Sequence, residues 1–297
     1  MGYFVGLENY KKYGYVPCDL EMESVARTLE YAFDDWAISQ FASLTNHSQI
    51  YDKFYTRSLN YKNVIDTSTL LARGKTKAGH WREPFYPLRS EHRADDYCEG
   101  NAWQWTFFVP HDVNGLAELM GGKDVLASRL DSLFTMSSTL EGETVSGDIS
   151  GLIGQYAHGN EPGHHTIYMY NEIGQPYKTQ KYVNEVLTTL YDNTPEGICG
   201  NEDTGQMSAW YVFSSLGFYP MDPVSGKYQL GAPLFDRASI NLPSGKQFIV
   251  TADNLSDKNI YVKEVWLNDH LLDRAYITFE ELLNGGTLCF KMTDKLE

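Results

Sequence analysis

Cysteine is scarce in this chain. Only Cys18, Cys98, Cys199 and Cys289 carry thiols among 297 residues, and their wide spacing without a CxxC pair argues against a zinc knuckle or a dense disulfide framework. They read as buried free thiols. Hydrophobic residues make up 42% of the chain, yet no uninterrupted apolar stretch approaches the ~20 residues that cross a bilayer, so no membrane association is expected. Basic residues are the minority sign: 24 Lys and Arg face 39 Asp and Glu, a formal charge of -15. That field repels polyanions and argues against nucleic acid as a partner. A GxSxG elbow, a P-loop with GK[ST] and a GxGxxG run are also missing, which removes the common acyl- and phosphoryl-transfer motifs. Met1-Gly2-Tyr3-Phe4 lacks the basic start and apolar core of a signal peptide. The compartment stays open, cytoplasmic or secreted according to what precedes the chain.

What is present is aromatic and helical. Aromatics form 14% of the chain, with 21 Tyr and 6 Trp; such rings stack on the C–H faces of sugars, although most are expected in the core. From Glu21 to Ala42 the residues Val25, Leu29, Ala32, Phe33, Trp36 and Phe41 recur near helical spacing, predicting a long helix with one buried face. A second helix is expected over 48–59. Residues 65–93 form a long aperiodic loop, a feature that is usually functional in compact domains. Further helices are expected over 102–108, 111–120, 125–136, 151–156, 164–172, 177–191 and 205–216. Paired helices joined by chemically rich loops suggest an α/α toroid. After Gly217 short β-branched and aromatic runs at 227–230, 238–242, 248–251, 259–267 and 287–292 predict strands. The reading is therefore mainly α: a helical domain over 1–217 and a β-rich segment over 218–297.

Three loop-to-helix junctions concentrate the unusual residues: Tyr97-Cys98-Glu99-Gly100-Asn101-Ala102-Trp103-Gln104-Trp105, His158-Gly159-Asn160-Glu161-Pro162-Gly163-His164-His165, and Gly200-Asn201-Glu202-Asp203-Thr204-Gly205-Gln206. Helix capping accounts for an isolated acid in such a place, because Asp and Asn satisfy free N–H groups and Glu meets the positive end of the dipole. Three junctions of this kind suit instead a ligand covered in hydroxyls. His158, Glu161 and His165 superficially fit a zinc pattern, but Pro162 and the neighbouring glycines break the helix that would hold paired His on one face. Oxygen donors at Asn160 and Glu161 suit a hard cation such as calcium. Two carboxylates in different loops are the minimum equipment for glycoside hydrolysis.

The strings SVARTLEYAFDDWAISQFA, RSLNY, YCEGNAWQWTFFVPHDVNGLAELMGG, HGNEPGHH and GNEDTGQMSAWYVFSSLGFYP resemble glycoside hydrolase family 92, the calcium-dependent exo-α-mannosidases. The resemblance covers most of residues 15–235. It implies an (α/α)6 catalytic toroid preceded by a β-sandwich; with about eight helices, the chain corresponds to the C-terminal part, an incomplete toroid followed by a small β region. By motif, Glu99 falls at the general acid and Asp203 at the general base. Asn160 and Glu161 fall in the calcium-binding segment, and His158 falls near the leaving-group sugar. Trp103 and Asn201 join the substrate-binding set. Where some members carry a second aspartate before the base, this chain has Asn201, and where many α-1,2-specific relatives carry Glu after the His it has Gly159. The implied reaction is calcium-assisted, inverting hydrolysis of terminal α-mannosides in mannose-containing glycans, α-1,2 linkages first, with Glu99, Asn160 and Asp203 opening onto one cleft. Removal of mannose from mannosyl phosphates and an inactive carbohydrate-binding fragment stand as alternatives.

Overall fold

The computed structural model describes residues 4–295. Met1, Gly2 and Tyr3, on which the reading of the chain's start largely rests, lie outside the described residues. Two compact units are distinguished, Met1–Gly163 and His164–Glu297.

The first unit begins with α1 (Leu7–Tyr13), a helix that hydrophobic spacing does not announce because Tyr10 is its one buried residue. Polar contacts fix it: the Tyr10 hydroxyl donates to Asp35 Oδ2 at 2.8 Å, and Arg57 Nε donates to the same oxygen at 2.9 Å. Burial raises the Asp35 pKa while these two donors pull it back. Asp35 lies on α2 (Ser24–Leu44), which packs against α3 (Ser48–Ser58). Val25, Leu29 and Ala32 are buried as their spacing requires, whereas Phe41 is 68% exposed. The apolar stripe of α2 is thus covered over its first half and open at its end.

The long loop after α3 is ordered rather than loose. It opens with a hairpin of β1 (Ile65–Asp66) and β2 (Leu71–Ala72), pinned by Arg73 Nη1 donating to Asp66 Oδ2 at 2.9 Å. Farther on, Arg82 grips the buried Asp96 with Nε at 2.7 Å and Nη2 at 3.1 Å, and Ser24 Oγ donates to Asp96 Oδ1 at 2.9 Å. Gly74 is required beside this carboxylate, because a Cβ there would lie 2.0 Å from Asp96 Oδ2. Helices α4 (Ala102–Trp105), α5 (Val113–Met120) and α6 (Lys123–Thr135) follow, with α5 packed on α6. The helix expected over 151–156 is instead a two-residue hairpin, β3 (Leu152–Ile153) with β4 (Tyr156–Ala157). Gly154 turns it at φ 61°, so close to the Leu133 carbonyl that a Cβ would sit 2.3 Å from that oxygen.

The second unit joins helices to a β region. A 3₁₀ turn runs into α7 (Met169–Glu172), then α8 (Pro176–Thr189) and α9 (Gln206–Ser215). Strands begin with β5 (Phe218–Tyr219), β6 (Lys227–Leu230), β7 (Arg237–Asn241), β8 (Gln247–Asp253), β9 (Tyr261–Leu267), β10 (His270–Leu271) and β11 (Tyr276–Thr278). A short α10 (Phe279–Leu283) precedes β12 (Gly286–Thr293). One sheet has the order β10-β9-β12-β8-β7, with β12 parallel to β8 and antiparallel to β9; a second has the order β11-β6-β5. Alternate residues of β8 and β12, namely Phe248, Val250, Leu288 and Phe290, point into a core shared with Phe218, Leu230 and Ile277. All four cysteines are free, but only Cys18 is buried; the other three are half-buried. No helix among the described residues is long and apolar enough to cross a membrane.

Candidate active site

In the first unit the segment 97–105 turns sharply into α4. Asn101, fully buried, caps that helix: its side-chain oxygen accepts from Trp103 N at 3.0 Å and Gln104 N at 3.2 Å, while Gln104 Oε1 accepts from Asn101 N at 2.9 Å. This reciprocal box satisfies the helix start. Glu99, two residues earlier, is half-buried and holds φ 47° in the left-handed region. Such a backbone costs a residue with a Cβ about 1–3 kcal/mol. Capping therefore explains Asn101 and not Glu99.

The carbonyls around Glu99 are satisfied almost one by one. Asp95 O accepts from Glu23 N at 2.7 Å and Asp96 O from Val25 N at 2.9 Å. Cys98 O accepts from Trp105 Nε1 at 2.7 Å, and Glu99 O from Asn160 Nδ2 at 2.7 Å. Gly100 permits the indole contact, since a Cβ there would lie 2.7 Å from Trp105 Nε1. The Tyr97 hydroxyl donates to Ala72 O at 2.7 Å. Nearby, the Asp95 carboxylate accepts from Glu91 N and Tyr97 N, and burial above all, with Asp96 and Glu91 adding repulsion, raises its pKa to about 6.

The second junction comes to the first. Besides the Asn160–Glu99 bond, Asn101 Nδ2 donates to Gln155 Oε1 at 2.9 Å, and Gln155 Nε2 donates to Ser137 O at 2.7 Å and Thr139 O at 3.0 Å. Asn160 is 8% exposed and Gln155 and His158 are fully buried. The His158 Nδ1 and the Tyr156 hydroxyl share a hydrogen bond of 2.8 Å. Glu161 opens a 3₁₀ turn, Glu161–Gly163. Trp103 is buried with its ring beneath the Arg129 guanidinium, 4.3 Å from carbon to centroid. Glu99 with Asn160 and Asn101 with Gln155 are thus two hydrogen-bonded pairs that tie the same two segments together. Spacing gave no sign of Gln155, since a buried glutamine in LIGQYAHG has no periodic or motif signature.

In the second unit, Asn201, Glu202, Asp203 and Thr204 are exposed. Asp203, Thr204 and Gly205 are successively left-handed, at φ 41°, 63° and 85°, immediately before α9. The first turn of that helix is served by Glu202, whose carboxylate accepts from Ser208 N at 3.0 Å and Ser208 Oγ at 2.7 Å. Those two donors hold the Glu202 pKa below the usual carboxylate value. Asp203 contributes its backbone carbonyl, which accepts from Gln206 N at 3.2 Å. As with Glu99, the residue beside the candidate serves the helix and the candidate occupies the strained position. Behind the turn, Gln206 Nε2 lies 3.1 Å from the Tyr219 hydroxyl and 3.3 Å from the buried His164 Nδ1, and Trp210 Nε1 donates to His164 O at 3.1 Å. Among the described residues no group of three or more His, Cys, Asp or Glu could hold a metal ion.

The glycosyl hydrolase family 92 catalytic domain matches residues 3–294. The α-mannosidase BT3965 of Bacteroides thetaiotaomicron, solved in complex with mannoimidazole, is 42% identical with a TM-score of 0.92, over 97% of this chain and 38% of that one. The inverting mannosidase BT2199 of the same organism is 39% identical with a TM-score of 0.86, over 98% and 40% respectively. An uncharacterized secreted glycosidase of Arthroderma benhamiae is 26% identical over 95% of this chain and 38% of its own length. The chain therefore spans about two fifths of the relatives it matches.

Proposed function

We propose, since the chain belongs to glycoside hydrolase family 92, that it carries the acid and the base of an exo-acting, inverting α-mannosidase. Its helix pairs α2–α3 and α5–α6 would be consecutive hairpins of an α/α toroid. The observation that carries the assignment is the division of side-chain labour at two junctions: the side chains of Asn101 and Glu202 bond the first turns of α4 and α9, while Glu99 and Asp203 hold left-handed backbones.

Glu99, as the carboxylic acid, donates its proton to the glycosidic oxygen as the bond from that oxygen to the anomeric carbon breaks. Asp203 accepts a proton from water as the water oxygen bonds to the opposite face of that carbon. Mannose of inverted configuration and the free alcohol leave, and the two carboxyl groups regain their starting protonation through solvent. Inverting glycosidases in general separate their acid and base by about 6.5–9.5 Å, the spacing that admits the water. His158 is assigned to the leaving-group sugar, and Trp103 and Asn201 join it in the substrate-binding set. Terminal α-1,2-linked mannosides are the first substrates to test.

Calcium belongs to the proposal as well. Asn160 and Glu161 offer oxygen donors and no sulfur or imidazole, the chemistry that calcium prefers, and they supply two of the roughly six to eight oxygens it takes. The rest of the shell would come from water, substrate hydroxyls and other residues of the enzyme. Held by Asn160 and Glu161, a bound cation would supply Lewis-acid stabilisation to the sugar in the transition state.

The test compares leaving groups. In the active enzyme Glu99→Gln should slow hydrolysis of a mannobiose about 100- to 10,000-fold and an activated aryl mannoside far less, because a nitrophenolate departs without a proton. Asp203→Asn should slow both, since each reaction needs activated water. Equal losses for Glu99→Gln on the two substrates, or an aryl mannoside spared by Asp203→Asn, would remove these residues from their roles.

A further inference from the structure

We infer that Asn160 is a positioning residue for the acid, acting through its amide N–H on the Glu99 backbone; the inference rests on Glu99 being the acid and goes beyond the proposed metal role of Asn160. Glu99 is left-handed at φ 47°. A residue with a Cβ relaxes from that region unless its peptide groups are held from outside. The carbonyl of Cys98 is held by Trp105 Nε1, a contact internal to the segment. The carbonyl of Glu99 itself is held from 61 residues away by Asn160 Nδ2, at 2.7 Å. This bond sets the rotation of the Glu99–Gly100 peptide, and with it the direction in which the Glu99 side chain leaves the backbone. Gly100 has no side chain to restrict that rotation, and the bond from Asn160 supplies a constraint from a distant segment.

The Asn160 side chain is in turn well placed to act as a fixed donor. Asn160 is 8% exposed, its backbone carbonyl accepts from Gly163 N at 3.1 Å, and the preceding Gly159 N donates to Ser150 O at 3.1 Å. A second tie, Asn101 to Gln155, joins the same two segments two residues farther along. The loop that carries the proposed calcium donors and the loop that carries the acid are therefore one mechanical piece. The two faces of the Asn160 amide have separable duties: its nitrogen orients Glu99, and its oxygen is the atom available to a cation.

The two duties are separated by Asn160→Asp, which keeps the side-chain oxygen and the shape but replaces the donor with an acceptor, 2.7 Å from the Glu99 carbonyl. Asn160→Ala removes both. The measurements are amide hydrogen exchange over residues 98–101, calcium affinity by titration calorimetry, and kcat and KM on a mannobiose and an activated aryl mannoside. The expected result for Asn160→Asp is faster exchange at Gly100 and Asn101, calcium affinity equal to the parent or tighter, and a fall of about tenfold or more in the ratio of kcat on the mannobiose to kcat on the aryl substrate. The mannobiose KM should change far less than its kcat. Unchanged exchange in both variants overturns the inference, whatever happens to activity. So does an Asn160→Asp enzyme that loses calcium affinity while keeping the parental kcat ratio, because Asn160 would then be a ligand and nothing more. The exchange measurement does not depend on mannosidase activity: faster exchange in an enzyme whose Glu99→Gln variant keeps parental activity would uphold the tie and defeat the acid assignment.

Discussion

Replacing Asn101 with alanine should destabilise the first unit by about 2–4 kcal/mol. The figure has two parts. The side-chain oxygen of Asn101 takes the N–H groups of Trp103 and Gln104, and loss of such a cap costs about 1 kcal/mol, within a range of about 0.5–2. The side-chain nitrogen donates to Gln155 Oε1, and both residues are fully buried, so that oxygen would be left without its donor at about 1–3 kcal/mol. Gln155 cannot recover by turning its amide over, because Nε2 is already committed to Ser137 O and Thr139 O. Asn101→Asp retains the cap, loses the donor and sets a buried carboxylate oxygen against Gln155 Oε1, so it should cost at least the second portion. Urea unfolding followed by fluorescence and circular dichroism reads both variants, with a lower midpoint at constant slope marking a change in stability. If Asn101→Ala stays within about 0.5 kcal/mol of the parent, the buried network does not contribute as reasoned, since that is the range of ordinary surface substitutions. If Asn101→Asp equals the parent, the tie to Gln155 carries no weight.

Asp95 should give the first unit a pH-dependent stability of a definite sign. Its folded pKa, raised to about 6 chiefly by burial, exceeds the ordinary carboxylate value of about 3.9, so between roughly pH 4 and 6 the folded state binds more protons and stability falls as pH rises. Urea midpoints for the parent and Asp95→Asn across that window should show a flatter profile in the variant, and parallel profiles would contradict the assignment. Chelation of the active enzyme should abolish mannoside hydrolysis, and calcium should restore it where zinc does not, since oxygen donors favour the harder ion. Full activity after exhaustive removal of metal, confirmed by elemental analysis, would exclude an essential cation.

Much of the helical frame is legible in the order of residues, and the failures have physical causes. Helix α3 begins at Ser48 and β6 spans Lys227–Leu230, as their patterns require. Helix α1 escapes because an apolar period needs several buried residues, and its anchor is one tyrosine bound to Asp35. In 151–156 the residues Leu152, Ile153 and Tyr156 fit a helical face as well as a hairpin. The tertiary bond from Gln155 N to Leu133 O, with Gly154 left-handed, decides for the hairpin. At the site, Glu99 and Asp203 were legible as acids in motifs, whereas the strain at each is a property of φ that no residue pattern displays. Asn160 was legible as an oxygen donor only. That its nitrogen reaches Glu99 depends on a contact 61 residues distant in the chain, which local spacing cannot encode.

The strain bears on how the two carboxylates should be weighed. A left-handed residue with a Cβ is retained when it closes a turn no other backbone can make or when its side chain must point where a relaxed backbone would not send it. Turn closure alone would favour Asn, Asp or Gly, because their side chains tolerate this region best. Asn46, Asn254, Asn268 and Asp269 follow that preference, whereas Glu23, Leu70, Arg93 and Glu99 do not. At residue 99 the proposed acid role supplies a reason for the direction of the side chain, and the Asn160 tie is a bond that holds the adjoining carbonyl. Asp203 is a weaker case by itself, since aspartate suits a left-handed turn. Its company strengthens it: Thr204, a β-branched residue, follows at φ 63°, a true outlier for that side-chain type. A turn built for economy would place glycine or asparagine there. The Glu202 carboxylate bonds Ser208, and Asp203 is exposed, the setting that the proposed role as base requires.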